Sequence, residues 1–145
     1  MTVVAFDLDG TLLELAPDTD FRDAKSVARL RPNEAVVARA RALRRRGCDV
    51  VVVTGRQESL RWITELQVML LLGFGVQVIM QADGVGPAGL VGMKAAALAA
   101  HGPACFVGDS RFDAEAARRS GTPFLGAEAF GAGEQLPEAS PNPAF

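Results

Sequence analysis

The run Val3-Val4-Ala5-Phe6 leads straight into Asp7-Leu8-Asp9-Gly10-Thr11, and this segment constrains the chain more than any other. A short apolar run with β-branched residues reads as a buried strand, and Asp-x-Asp-Gly reads as the tight loop that ends it. Side chains two apart on a strand leave from one face, so Asp7 and Asp9 are expected to emerge together at its carboxyl end. Two carboxylates that close cannot both stay charged unless a cation sits between them; otherwise one holds a proton. Either outcome is chemistry: a nucleophile beside an acid/base, or a metal site. Gly10 allows the sharp turn and lets backbone amides approach a ligand. An ordinary strand closed by an Asp-Gly turn does not account for two acids at the end of a hydrophobic run.

The remaining pattern alternates. Over residues 32–46 the apolar positions Val36, Ala40 and Leu43 recur among arginines until Gly47, which predicts an amphipathic helix. Residues 48–53 read as a second buried strand, closing at Thr54-Gly55-Arg56. A helix is expected over 58–72 with Leu60, Ile63, Gln67 and Leu70 on one side, then a strand over 76–80. Lys94 opens an alanine-rich helix that ends near Gly102. A strand at 104–107, a helix at 111–120 and a short strand at 123–125 complete the series. Such alternation demands a parallel sheet with right-handed crossovers and helices on both faces. The expected fold is therefore an α/β, Rossmann-like three-layer sandwich with a five-stranded sheet in the order 3-2-1-4-5. Ligands collect outside the carboxyl ends of such strands. Asp7, Asp9, Thr54 and Asp109 all fall there.

The 145 residues suit one domain over residues 1–130, with a flap at about 12–30 and a tail over 131–145 docked by Phe130 or Phe145. With 49% apolar and 22% charged residues the chain is globular, and a net charge of −2 carries no basic footprint for nucleic acid. Cys48 and Cys105 suggest buried reduced thiols, not a disulfide framework. The first residues lack a signal-peptide pattern, and the apolar stretch at 68–80 is too short to span a bilayer. These features together read as a soluble cytoplasmic protein with no membrane partner.

Thr54-Gly55-Arg56 offers a hydroxyl and free amides at a strand end. Gly108-Asp109-Ser110-Arg111-Phe112-Asp113 contains a capping box of Ser110 and Asp113, which leaves Asp109 unexplained at the strand terminus. Taken jointly, the order is an acidic pair, a threonine, Lys94, then Gly-Asp-x-x-x-Asp. In this the chain resembles the haloacid dehalogenase-like (HAD) hydrolase superfamily from residue 1 to about 125. The resemblance implies a nucleophile at Asp7 that forms an aspartyl-phosphate, and an acid/base at Asp9. It implies phosphoryl-oxygen ligands at Thr54, Gly55 and Lys94. Mg²⁺ would be held by Asp7, the Asp9 backbone carbonyl and Asp109, with Asp113 orienting Lys94 or the metal shell. A second acid points to phosphoryl transfer and away from carbon–halogen cleavage, whose leaving group needs no proton.

Substrate choice in this superfamily usually comes from an inserted cap, and here neither residues 12–31 nor residues 56–94 leave room for one. An open site follows, or one closed by another subunit of a homo-oligomer. The flap and the loop at 83–92 are placed to contact the substrate, a phosphorylated small molecule or polymer end. The segment Met80-Gln81-Ala82-Asp83-Gly84, with Arg56 and Arg111, also resembles the phosphatase half of polynucleotide kinase-phosphatases, although Gln81 stands where that pattern has an arginine. Arg56, Ser110, Arg111 and Asp113 are thus candidate supporting or substrate-contacting residues. A nucleic-acid 3′-end phosphatase or nucleotidase is the alternative substrate reading. The non-enzymatic alternatives are a receiver-like phospho-acceptor, whose aspartate belongs on the third strand, and a silent binding module. Arg39, Arg41, Arg44, Arg45 and Arg46 read as the solvated face of a helix. His101 reads as a surface residue near a helix end, Asp18, Asp20 and Asp23 as part of a polar flap, and Trp62 as a core or subunit contact.

Overall fold

The computed structural model describes residues 2–137. Five parallel strands form one sheet: β1 (Val3–Phe6), β2 (Asp49–Gln57), β3 (Gln77–Gln81), β4 (Cys105–Gly108) and β5 (Phe124–Gly126). Their order is β3-β2-β1-β4-β5, as the alternation predicts. β1 is central, with Phe6 in register with Val52 on one side and Val107 on the other. Both faces of that strand are covered, which is why Val4, Ala5 and Phe6 form an unbroken apolar run.

The helices are α1 (Ala24–Ala28), α2 (Glu34–Arg45), α3 (Arg61–Leu72), α4 (Leu90–His101), α5 (Arg111–Ser120) and α6 (Ala127–Gly131). Period-two alternation along the strands sends Val4, Phe6, Val50 and Val52 to a core shared with the buried faces of α1, α2, α3 and α6. Ala5, Val51, Val53 and Phe106 go to a second core under α4 and α5. Several helix ends are set by local chemistry. The Asn33 side chain accepts from Val36 N to cap α2, Ser110 and Asp113 form the capping box of α5, and left-handed Gly102 and Gly121 close α4 and α5.

Several boundaries differ from the expectation. β2 does not close at Thr54 but continues to Gln57, with its pairing to β3 broken between Val53 and Gln57. α4 begins at Leu90, so Lys94 lies one turn inside it. A 3₁₀ turn over Glu58–Leu60 precedes α3. Leu60, Ile63 and Gln67 are buried, but Leu71, four residues past Gln67, takes the buried position assigned to Leu70, which is 67% exposed. The arginines of α2 are not simply solvated. Arg41 donates to the carbonyls of Leu70 and Leu71, and Arg44 to those of Leu72 and Phe74, which satisfies the C-terminal end of α3. Arg39 donates to Phe130 O at 2.7 Å and stacks over its ring. Phe130 sits in α6, fully buried and edge-on to Phe6, while Phe145 lies outside the described residues. The flap contains one short helix, α1, capped by Asp23, and its Leu12, Leu13, Val27 and Leu30 are buried. Cys48 and Cys105 are free thiols, half-buried and buried. Among the described residues no helix is long and apolar enough to cross a membrane.

Candidate active site

The site lies at the carboxyl ends of β1, β2 and β4. Asp7 follows β1 directly, its amide donating to Val107 O at 2.9 Å, so the central strand pair anchors its backbone. Its carboxylate is buried. Oδ1 accepts from Lys94 Nζ at 2.8 Å, and the Thr11 hydroxyl lies 3.4 Å from Oδ2. Lys94, only 4% exposed, also donates to Asp113 Oδ1 at 2.7 Å. Asp113 is fixed in turn by the start of α5, where its Oδ2 accepts from the amides of Asp109 and Ser110. The capping box and the lysine contact use different oxygens of one carboxylate, so the same residue serves helix and site.

Asp7 and Asp9 both reach the same cleft, but their carboxylates pair with different side-chain cations. The chain leaves β1 after Phe6, and the Asp9 carboxylate is taken by Arg56 in a two-pronged contact, Nε to Oδ2 at 3.0 Å and Nη2 to Oδ1 at 2.8 Å. Arg56 is buried. Its remaining nitrogen, Nη1, donates to Thr64 Oγ1 at 3.1 Å and Gln67 Oε1 at 2.6 Å, and Gln67 Nε2 donates to Val27 O in the flap. Each of the two first-loop acids thus has its own cation. Both acids lie just past the end of β1, and the chain then turns at Gly10, φ +86°.

The carboxylates that do gather are Asp7, Asp109 and Asp113, with one oxygen from each inside a 4.8 Å span. Burial pushes the Asp7 carboxyl well above the usual range, Lys94 pulls it back, and Asp113 adds to the rise. Burial likewise raises Asp109, with Asp113 contributing. Burial alone would lower Lys94, but the charges of Asp7 and Asp113 outweigh it and leave the ammonium firmly protonated. Three acids facing one lysine leave local negative charge in excess, and all the donors are hard oxygens. That is the environment of a small divalent cation. Gly10 shapes the same spot: a Cβ there would stand 1.9 Å from Asp109 Oδ2.

A cleft of about 860 Å³ opens above these groups. Asp7, Asp9, Thr54, Gly55, Lys94, Asp109 and Ser110 reach it, and Thr54 Oγ1 accepts from the Arg56 amide at 3.2 Å. Leu15, Phe21 and Arg22 from the flap and residues 84–87 from the loop before α4 form its walls, together with Phe112. Arg111 is not brought to this cleft; its guanidinium stacks on Phe112 and lines a neighbouring depression with Gly126 and Glu128. Thr64, Gln67 and Phe21 were not legible as site residues in the sequence. Only their spacing, a polar pair at i and i+3 on the buried side of α3, marks Thr64 and Gln67.

The family pattern of the polynucleotide kinase PNKP phosphatase domain matches residues 1–76, more than half of the chain and the part that holds Asp7, Asp9 and Thr54-Gly55-Arg56. The chain belongs to this family, within the HAD superfamily. Among solved structures it is similar to a chain of the Pnkp1/Rnl/Hen1 RNA repair complex, with a TM-score of 0.72 and 19% identity over 86% of this chain and 42% of that one. It therefore spans less than half the length of that relative. It is also similar to the D,D-heptose 1,7-bisphosphate phosphatase of B. bronchiseptica complexed with magnesium and phosphate, with a TM-score of 0.64 and 20% identity over 96% and 90% of the two chains. A HAD-superfamily hydrolase of subfamily IA from Geobacter sulfurreducens gives a TM-score of 0.62 and 18% identity over 87% and 89%. At these identities the likeness is one of fold. No curated protein matches the chain.

Proposed function

We propose that this protein is a Mg²⁺-dependent phosphohydrolase that cleaves phosphate monoesters through an aspartyl-phosphate on Asp7. The observation that carries the reading is Lys94, a buried lysine held between Asp7 and Asp113 at the floor of an open cleft. That lysine joins two buried carboxylates, one of which, Asp7, lines the cleft beside Asp9 and Asp109.

The roles follow from position. Asp7 attacks phosphorus through a carboxylate oxygen, and the phosphoryl–ester oxygen bond breaks as the new bond forms. Asp9, in its protonated form, gives a proton to the departing oxygen and then, as the carboxylate that Arg56 pairs with, takes one from the water that hydrolyses the acyl phosphate. Lys94, the Thr54 hydroxyl and the Gly55 amide hold the phosphoryl oxygens as charge builds on them. Asp7, Asp109 and the backbone carbonyl of Asp9 are the groups that would hold Mg²⁺, which when bound offsets the negative charge of the phosphate. Asp113 keeps Lys94 extended toward Asp7. The free thiols suit a reducing compartment, and we read the protein as cytoplasmic.

The family match favours one second reading, a nucleic-acid 3′-end phosphatase. Against it stand the net charge of −2, the apolar cleft walls and the turning away of Arg111. The receiver-like alternative is not supported, since Asp7 follows β1 and Thr54 lies in β2. Asp7→Asn tests the proposal, because the amide keeps the shape but cannot attack. Hydrolysis of an aryl phosphate should require Mg²⁺, cease on chelation, and fall at least about 10³-fold in the folded variant, given that nucleophile loss removes the covalent route. Turnover near wild type in Asp7→Asn would refute the mechanism. Comparison with a 3′-phosphorylated oligonucleotide separates the two substrate readings.

A further inference from the structure

We infer that the outer face of α3 is a self-association surface, on which a second copy of this chain docks antiparallel about a two-fold axis. Trp62, Leu66 and Leu70 recur every fourth residue along α3, and Phe74 follows just beyond its end. They are 65%, 41%, 67% and 82% exposed. The opposite side of the same helix, with Ile63, Val68, Leu71 and Leu72, is already buried against the sheet. A helix apolar on nearly every side is one whose whole circumference belongs in a core, yet among the described residues nothing covers this half. At the 150–250 Å² an aromatic side chain carries, the four residues expose on the order of 500 Å². That is as large as the largest apolar patch of a typical monomer, about 300–600 Å², and such patches mark interaction sites.

Charge around the stripe selects the partner. The N-terminal end of α3 carries Glu58 and Glu65 with one arginine, Arg61, paired to both. The C-terminal end is flanked by Arg41, Arg44 and Arg45, which surround a depression with Leu70 and Leu72, and none of these arginines has a carboxylate partner among the described residues. One end is therefore net acidic and the other strongly basic. Reversing a second copy brings each acidic end against the other's arginines, so the surface is complementary to itself. The two-fold axis then falls between Leu66 and Leu70, with Leu66 meeting the other copy's Leu70 and Trp62 meeting its Phe74. Rows of residues four apart are the ridges that pack helix against helix at about −50°. With its charged margins included, the face approaches the roughly 800 Å² per partner of a standard interface. Because the stripe lies on the outside of α3 and the catalytic groups face the cleft, this surface is independent of the proposed reaction.

Sedimentation equilibrium of the full chain at rising concentration tests the inference. The wild-type protein should reach twice the monomer mass. Leu70→Glu should stay at monomer mass with an unchanged circular dichroism spectrum and melting profile, since Leu70 is exposed in the monomer. Glu65→Arg and Arg45→Glu should each weaken the dimer at least ten-fold, and the double variant should restore it, because each new charge then meets its opposite on the other copy. A wild-type monomer at the highest soluble concentration overturns the inference, and the stripe then belongs to a different partner. A dimer untouched by Leu70→Glu also overturns it, and failure of the double variant to restore association overturns the antiparallel arrangement.

Discussion

Arg56 decides where the Asp9 carboxylate points. All three guanidinium nitrogens are spent inside the protein, two on Asp9 and one on Thr64 and Gln67, so the fork is rigid before any substrate arrives. A planar fork against a carboxylate gives two parallel bonds that a single ammonium cannot reproduce. Arg56→Lys should therefore keep the charge and the fold but lose the orientation. Because positioned acid/base catalysis contributes about 10²–10⁴-fold, a drop in kcat of roughly 10²-fold is expected. KM should change little, and the fall should be smaller for esters with good leaving groups, which need no proton. Equal losses on aryl and alkyl phosphates would mean that Arg56 does not act through Asp9. The sequence displayed Thr54-Gly55-Arg56 but not what Arg56 holds. Its partners come from a helix and a flap, and no local spacing encodes that meeting. Lys94 shows the same limit from the other side: a lone lysine in an alanine-rich segment looks solvated until α4 and α5 pack together and bury it between two acids.

At the scale of elements, the strands and long helices were legible because they are periodic. α6 was not, since five residues of Ala-Glu-Ala-Phe-Gly carry no period and lie next to a glycine-rich stretch. What fixes this short helix is tertiary: Phe130 fills a place against Phe6, with ring centroids 5.2 Å apart, and Arg39 closes over it from α2 at 4.4 Å. A helix so short has little stability of its own and relies on that packing. Phe130→Ala should lower unfolding free energy by about 3–5 kcal/mol, the range for removing a buried aromatic ring. Urea denaturation monitored by circular dichroism measures this. A loss below about 1 kcal/mol would mean that residues 127–131 are an appendage and that β1 and α2 form the core without them. The end of α3 was misjudged for a different reason. A helical stripe advances by three or four residues per turn, and counting three from Gln67 assigns Leu70 to the core where the fourth residue, Leu71, is the buried one.

For the whole molecule, the absence of any folded insertion among the described residues leaves the cleft walled by the flap, the loop at 82–89 and the start of α5. An enzyme spends binding energy from remote parts of the substrate on the reacting centre, and an open wall offers little of it to a small hydrophilic ester. The walls that exist are apolar. Leu15 and Phe21 on the flap, Val85 on the loop and Phe112 on α5 are each at least 39% exposed and line the cleft, with Arg22 as the one cation on the flap side. A leaving group with a flat or apolar body would remove these surfaces from water, at about 25 cal/mol per Å². Burial of roughly 80 Å² in this way amounts to about 2 kcal/mol, or some thirty-fold in kcat/KM. Phosphate esters of aromatic or extended apolar alcohols should therefore exceed glycerol phosphate in kcat/KM by at least ten-fold. Comparing alkyl phosphates of matched leaving-group pKa isolates binding from chemistry. Phe112→Ala should erase most of the difference while leaving glycerol phosphate hydrolysis nearly unchanged, because Phe112 lies at the wall and not among the groups beside the phosphoryl position. If glycerol phosphate proves the better substrate at micromolar KM, the flap and loop already grip a small polar ester, and the cleft is not the open, apolar-walled site described above.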